Sequence, residues 1–368
     1  MGHSVDVLVL GGGPAGLAAA IAARKKGLRV TVADGAKPLI DKACGEGLLP
    51  GTLAALRELG ISIQTDDGQS FQGMRFIDGS NVAEAKFPGE CGIGVRRTML
   101  HRKMVERAEE SGVELLWNSP VTGLSFEGAL VRAKLIRAKW IVGADGIHSR
   151  VRRWSGLDTG DFSQIRFAQR RHYRVKLLMD RVEVYWGRMG QAYVTPLANE
   201  ETCVVLISRD PLMHFDKRLR EFPELADRLM NAELSSVQRG TVTATRRLDR
   251  VYRGNIALVG DASGTVDAIT GEGLGLSFRQ AVALADALEA GELERYELAH
   301  CRFARRPQFM ARLLLLLDRC KPLRRRVLRE MAKDPDLFAR FLTTHVKETS
   351  PLFVATTSAR LGWRLLAA

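Results

Sequence analysis

The stretch Val5-Asp6-Val7-Leu8-Val9-Leu10-Gly11-Gly12-Gly13-Pro14-Ala15-Gly16 decides how the chain folds. Its first half is a short apolar run of strand type. A glycine-rich turn follows at once, and residues 17–26 are alanine-rich and helical in propensity, with Gly27 as the cap. Residues 28–33 read as a second buried strand closed by Asp34. The pattern is strand, G-x-G-x-x-G, helix, strand, acidic residue. Gly11 permits the tight turn, Gly13 lets a pyrophosphate approach the backbone, and Gly16 lets the helix pack close to the strand. The helix N-terminus then offers free N–H groups and a partial positive charge to phosphates. Asp34 stands where a carboxylate can accept hydrogen bonds from a ribose. This unit predicts nucleotide binding and leaves NAD and FAD equally open.

Outward from this unit, two further apolar runs end in small and acidic residues. Residues 140–146 close on Gly143-Ala144-Asp145-Gly146, with Ser149, Arg150 and Arg152 on a helix start behind them. Residues 255–261 close on Gly260-Asp261, and Gly271-Glu272-Gly273-Leu274-Gly275 opens a helix to about residue 290. Three such strand ends, at residues 10, 143 and 260, belong together at one edge of a parallel sheet, where ligands bind.

Between these runs the pattern changes. Residues 74–77 and 82–85 flank Asp78-Gly79 as a hairpin. Thr98 is a candidate cap for a helix running to about residue 111, residues 113–117 form a strand, and residues 121–124 and 129–133 form a short antiparallel pair. From 165 to 251 the strands alternate. Val182, Val184 and Trp186 share one face of a strand and Arg181, Glu183 and Tyr185 the other, so that sheet has one solvated or ligand-facing side. Residues 211–231 read as an amphipathic helix. The last stretch is helical and basic, with Pro307 and Pro322 as expected breaks.

The 368 residues, 46% hydrophobic, suffice for a large core and for two domains. The formal net charge of +13 invites a nucleic-acid reading. That reading fails because the excess is local and no nucleic-acid motif accompanies it: residues 301–330 hold 10 Lys/Arg against Asp318 and Glu330. The same segment carries Leu313 to Leu317, which suggests peripheral contact with an anionic membrane surface or the wall of a lipophilic site. Five widely spaced cysteines form no metal-ligand pattern and point to a reducing compartment. No apolar run approaches the roughly 18 residues a spanning helix needs. The expected location is cytoplasmic, peripheral at the inner face of the membrane.

The three motifs together resemble the FAD-dependent monooxygenases of the aromatic-hydroxylase type and their relatives, the geranylgeranyl reductases and flavin-dependent halogenases. The resemblance covers most of residues 5–290. It implies an α/β fold with α+β elements: an FAD-binding Rossmann-like parallel sheet, a second mixed or antiparallel substrate sheet, and C-terminal helices. The FAD-binding domain is expected at 1–70, 97–160 and 251–290, the substrate domain at 71–96 and 161–250, and the helical region at 291–368. It implies FAD contacts from Gly11, Gly13, Pro14, Ala15, Gly16, Asp34, Cys44, Arg97, Val121, Asp145, Gly146, Gly260, Asp261, Gly271, Gly273 and Leu274. NADPH or NADH is the implied electron donor.

Within the family the branch is set by details. Cys44-Gly45 and Thr270-Gly271-Glu272-Gly273 are similar to the geranylgeranyl reductases. Gly264 stands where many aromatic hydroxylases have His, and Ala268 where both groups usually have Pro. The wider texture is similar to flavoprotein hydroxylases of secondary metabolism. The leading expectation is therefore a monooxygenase that hydroxylates a lipophilic aromatic or polyketide-type molecule through a flavin C4a-hydroperoxide. The alternative is a reductase of isoprenoid or alkene double bonds, and a third reading is a non-catalytic FAD-binding protein. Cys44, His172 and Tyr193 are the candidate catalytic residues, although each also reads as an ordinary loop or sheet residue. Glu272 reads as first-turn helix stabilisation.

Overall fold

The computed structural model describes residues 4–132, 134–176, 180–347 and 349–367. The expected strand at 129–133 is seen at Gly128–Val131, and Ala133 lies outside the described residues. Strand Ser4–Leu10 lies at the centre of a sheet, flanked in parallel by Val30–Ala33 and Lys134–Gly143, with Ile256–Leu258 next to the latter. Leu10 is level with both Ala33 and Gly143, and Gly143 is level with Leu258. The three expected strand ends therefore share one edge. Val7, Leu8, Val9, Ile141 and Val142 are wholly buried, as parallel strands covered on both faces must be.

Helix α1 (Pro14–Lys25) begins straight from the glycine turn with Pro14 in its first turn. Gly16 is required by packing: a Cβ there would lie 1.8 Å from the Gly11 carbonyl oxygen. Helix α2 (Pro50–Glu58) follows the Cys44 loop. Helix α3 (Arg97–Glu110) has Arg96, not Thr98, at its N-cap, so the expected threonine cap falls inside the first turn. Helix α4 (Arg150–Trp154) is capped by Ser149, whose hydroxyl accepts from the Arg152 amide.

A second sheet stands beside the first. Its path runs Glu233–Leu234, Ser163–Arg174, Glu201–Ser208, Gly190–Pro196, Arg181–Trp186, Gly73–Asp78 and Asn81–Lys86. It is mixed, because Arg181–Trp186 runs parallel to Gly73–Asp78 while its other joins are antiparallel. A small third sheet joins Gly47–Leu48, Gln69–Phe71 and Gly92–Gly94 beneath the Cys44 loop. The stretch expected as one amphipathic helix over 211–231 is two short ones, α5 (Phe215–Leu219) and α6 (Pro223–Leu229), divided at Pro223. They cover the face of Arg181–Trp186 that carries Glu183 and Tyr185. Tyr185 packs with Phe222, and Glu183 is buried, accepting from Arg228 (2.6 Å) and the Tyr185 hydroxyl (2.9 Å). Alternation there separates a cavity face from a helix-covered face.

Helix α7 (Gly273–Ala290) packs along α1. Helix α8 (Leu293–Arg319) runs unbroken through Pro307, contrary to the expected break. Pro307 is buried against the loop around Thr270, and that packing offsets the roughly 3 kcal/mol an interior proline costs. The break near Pro322 is present, where α9 (Lys321–Lys333) starts, followed by α10 (Pro335–Val346) and α11 (Pro351–Ala367). Met310, Leu314 and Leu317 of α8, Leu328 of α9 and Phe338 of α10 share one core with Phe76, Val184 and Trp186 of the second sheet. No described helix is long and apolar enough to cross a membrane.

Candidate functional site

The strand ends of the parallel sheet, the Cys44 loop and the inner face of the second sheet enclose one cavity of ≈ 340 Å³. Its outer half is built from the motif segments. Gly13, Pro14, Ala15, Cys44, Arg97 and Gly146 line it, as do Gly260, Asp261, Gly271, Gly273 and Leu274. Its inner half is apolar, with Met74, Phe76, Val184, Trp186, Leu314 and Phe341 among its walls.

The outer half holds charge without partners. The Asp261 carboxylate makes no hydrogen bond to protein among the described residues, and the surface it exposes is cavity surface. Burial pushes its carboxyl above the usual range, opposed by the charges of Lys42 and Arg97. Arg97 is 9% exposed and its Nε has no partner. Lys42 lines the same wall and joins no ion pair among the described residues. Gly13, Gly45, Gly271 and Gly273 face this space with no atom within 4 Å of where a Cβ would stand. Backbone left bare over open volume, an unpaired carboxylate and two unpaired cations fit FAD. The cations suit its pyrophosphate, Asp261 suits its ribityl hydroxyls, and the N-termini of α1 and α7 suit its anionic edges.

Other expected contacts lie elsewhere. Gly11 and Gly16 form the turn itself; Gly11 has φ +116° and its Cβ position lies 2.5 Å from the Ala144 oxygen. Asp34 does not line the cavity. Its carboxylate accepts from the amides of Gly12 (2.6 Å) and Ala36 (2.7 Å) and so shapes the turn. Val121 is on an edge strand and also outside the cavity. Asp145 spends both oxygens on the start of α4, accepting from Ser149 Oγ and from the amides of Arg150 (2.6 Å) and Val151 (3.1 Å). In this structure its role is a helix cap, and Gly146 beside it is the cavity residue.

The three candidate catalytic residues separate. Cys44 lines the cavity, and its sulfur accepts from the Glu46 amide at 3.5 Å. Tyr193 also lines it, but its hydroxyl donates to the Ile269 carbonyl (3.2 Å) and burial raises its pKa. His172 does not reach the cavity. Arg170, always a donor, holds its Nδ1 at 2.7 Å, so Nε2 carries the hydrogen and donates to Glu46 at 2.6 Å. Burial lowers the pKa of His172, with Glu46 opposing, in keeping with a neutral ring. Glu46 in turn accepts from the Arg97 amide (2.9 Å) and holds a left-handed backbone, φ +59°. His172 thus fixes the loop that carries Cys44. Glu46, His172 and Cys203 place donors within 4.8 Å of one another, but both nitrogens of His172 are already committed.

The two departures from the family pattern have local causes. Gly264 adopts φ +120°, where a side chain would be strained. The Ala268 amide donates to Thr243 Oγ at 2.8 Å, a bond proline could not make.

Sequence reasoning missed the contribution of α10. His345 lines the cavity; its Nε2 is 2.8 Å from the Thr270 carbonyl and its Nδ1 is 3.6 Å from Glu272 Oε2. Glu272, buried at the N-cap of α7, is bonded to Arg306 of α8. Glu272 therefore ties the glycine loop to the C-terminal helices, beyond first-turn stabilisation.

A model of the FAD-binding domain family matches residues 4–294. The chain belongs to that family. It is 30% identical over 295 residues to the digeranylgeranylglycerophospholipid reductase of Methanosarcina acetivorans, covering 73% of this chain and 71% of that one. Its fold is similar to a flavoprotein/dehydrogenase from Cytophaga hutchinsonii (TM-score 0.81, 22% identity, 93% and 92% of the two chains). It is also similar to p-nitrophenol 4-monooxygenase from Pseudomonas putida (TM-score 0.78, 20% identity, 94% and 100%). As a member of this FAD-binding family the chain is a flavin-dependent oxidoreductase, and the bare glycines, Arg97 and Asp261 of the outer half-cavity are the residues that could hold its cofactor.

Proposed function

We propose that the chain is an FAD-dependent reductase that saturates carbon–carbon double bonds of a polyprenyl lipid, with NADPH or NADH as electron donor. FAD, when bound and reduced by the nicotinamide, would supply a hydride (two electrons and one hydrogen). The rest falls to the chain's residues. One observation carries the reading: the charged groups of the cavity stand on the Cys44 loop (Lys42, Glu46), at the start of α3 (Arg97) and in the turn after Leu258 (Asp261), while the walls from the second sheet and the C-terminal helices are mostly apolar, with Met74, Phe76, Val184, Trp186, Leu314 and Phe341. An apolar chamber fits a hydrocarbon. Tyr193, the candidate for polarising a phenol, has its hydroxyl spent on Ile269. The reductase relatives and the match at Cys44-Gly45 and residues 270–273 support the same order, which places reduction ahead of hydroxylation.

Saturating an alkene also requires a proton on the second carbon, and we assign it to the Cys44 thiol. Glu46, held by His172, fixes the loop that presents this thiol. The test is a Cys44→Ser variant of the FAD-loaded protein, assayed for the saturated lipid. The expected result is a loss of product of about 10²-fold or more, the usual worth of a positioned acid, with an unchanged flavin spectrum. Undiminished saturation would remove Cys44 from the mechanism.

A further inference from the structure

The outer face of α8 carries a pattern that the cavity does not explain. Leu298, Phe309 and Leu316 are 69%, 48% and 51% exposed, and Arg302, Arg305, Arg312 and Arg319 are exposed beside them. The spacing from 298 to 319 runs four, three, four, three, four, three. At 3.6 residues per turn all seven side chains fall within an arc of about 100°, with the three apolar ones along its centre. The stripe is about 32 Å long at 1.5 Å per residue. It holds no acidic residue between 298 and 316, and Asp318 is buried against Gln191. None of the four arginines forms an ion pair among the described residues; Arg302 lies over the Phe303 ring. The opposite face of the same helix puts Leu314 into the cavity wall.

We propose that this face of α8 docks the protein on an anionic lipid bilayer. A straight, narrow line of exposed leucine and phenylalanine can enter the headgroup boundary, and arginines along its flanks can extend to lipid phosphates. A second copy of the chain would set arginine against arginine, so self-association through this face is disfavoured. Nucleic acid would use the arginines but leave the apolar centre without a role. Docking would bring the cavity to within about one helix diameter, ~10 Å, of the acyl region. The surface stands on its own observations, and its test is independent of turnover.

The experiment is co-sedimentation of the full-length, FAD-loaded protein with phosphatidylcholine vesicles and with vesicles containing a third phosphatidylglycerol. Binding is expected to the anionic vesicles only and to fade as salt rises. Arg302→Gln/Arg305→Gln/Arg312→Gln should weaken it on the order of a hundredfold at low salt. Leu298→Ser/Phe309→Ser/Leu316→Ser should abolish what remains at high salt. Both variants should keep the flavin spectrum and the saturation of detergent-dispersed lipid, which separates failure of this surface from failure of the reductase reading. Wild-type protein left in the supernatant at low salt, or an arginine variant that sediments as well as wild type, would overturn the proposal. So would a wild-type dimer in light scattering that becomes monomeric in the apolar variant, since the face would then be a protein interface.

Discussion

Asp261 is the residue on which the cofactor reading turns. Its carboxylate opens on the cavity with no protein partner among the described residues, and the walls that enclose the cavity disfavour its charge. Hydroxyl donors from a bound ligand would relieve that cost. Asp261→Ala should therefore lower FAD affinity by about ten- to a hundredfold, the worth of a hydrogen bond to a charged group. Fluorescence titration of the apoprotein measures this, and an unchanged dissociation constant would refute the assigned role. Arg324 shows how charge and position part company. It lies in the basic segment, yet it is 2% exposed, donates to Asp78 (2.8 Å) and to the Leu317 carbonyl (3.2 Å), and stacks on Trp186. Arg324→Gln should cost about 3–5 kcal/mol in urea unfolding, because it leaves Asp78 buried beside only the more distant, half-exposed Arg325. Exposed Arg326, two residues on, should tolerate the same change to within about 0.5 kcal/mol. Equal effects at the two sites would contradict the burial seen here.

Among elements, α8 links the cofactor loop to pH. His300 reaches from it to Ser263, whose hydroxyl donates to the Gly260 carbonyl (2.8 Å) and accepts from His300 Nε2 (2.9 Å). Burial lowers the pKa of His300 to about 4. Its folded value thus lies below the unfolded one, near 6.5, so the unfolded chain binds more protons between them. Stability is full above pH ~6.5 and declines as pH falls toward 4, by about 2–3 kcal/mol from this residue. Thermal unfolding at pH 7 and pH 5 should show the decline, and His300→Gln should flatten it. A variant with the wild-type slope would show that other groups carry the effect.

Elements also show what the sequence could reveal. The strand ends expected at residues 10, 143 and 260 were legible, the last to within two residues of Leu258, because buried parallel strands are continuous apolar runs and the turns after them need glycine for local reasons. The hairpin at Asp78-Gly79 was legible for the same kind of reason, and Gly79 has φ +61°. The reach of α8 and α10 into the cavity was not legible. A helical period shows that Leu314 and Phe341 are buried, but which sheet they meet depends on contacts more than a hundred residues away in sequence. The helix bonds of Asp145 were not legible, because an acidic residue before a basic helix can serve a ligand or cap the helix, and only the coordinates show its oxygens accepting from Ser149, Arg150 and Val151. Pro307 was read as a break because local propensity gives no account of the loop it packs on.

At the scale of the whole molecule, two sheets face one another across a cavity whose halves differ in kind. One half is bare backbone and unpaired charge. The other is hydrocarbon, closed by C-terminal helices that Arg306, Glu272 and His345 tie to the cofactor loop. His345→Ala should disturb that tie. Its expected signature is a several-fold rise in the FAD dissociation constant with little change in the unfolding midpoint, and the reverse pattern would make His345 a packing residue only. A double-bond reductase of this architecture needs no oxygen. The most direct test is anaerobic incubation of the FAD-loaded, reduced protein with a polyprenyl phospholipid, followed by mass spectrometry of the lipid. The expected product is heavier by two hydrogens for each bond saturated and forms equally well without oxygen. No product under nitrogen, together with an oxygen atom gained by the substrate in air, would contradict it.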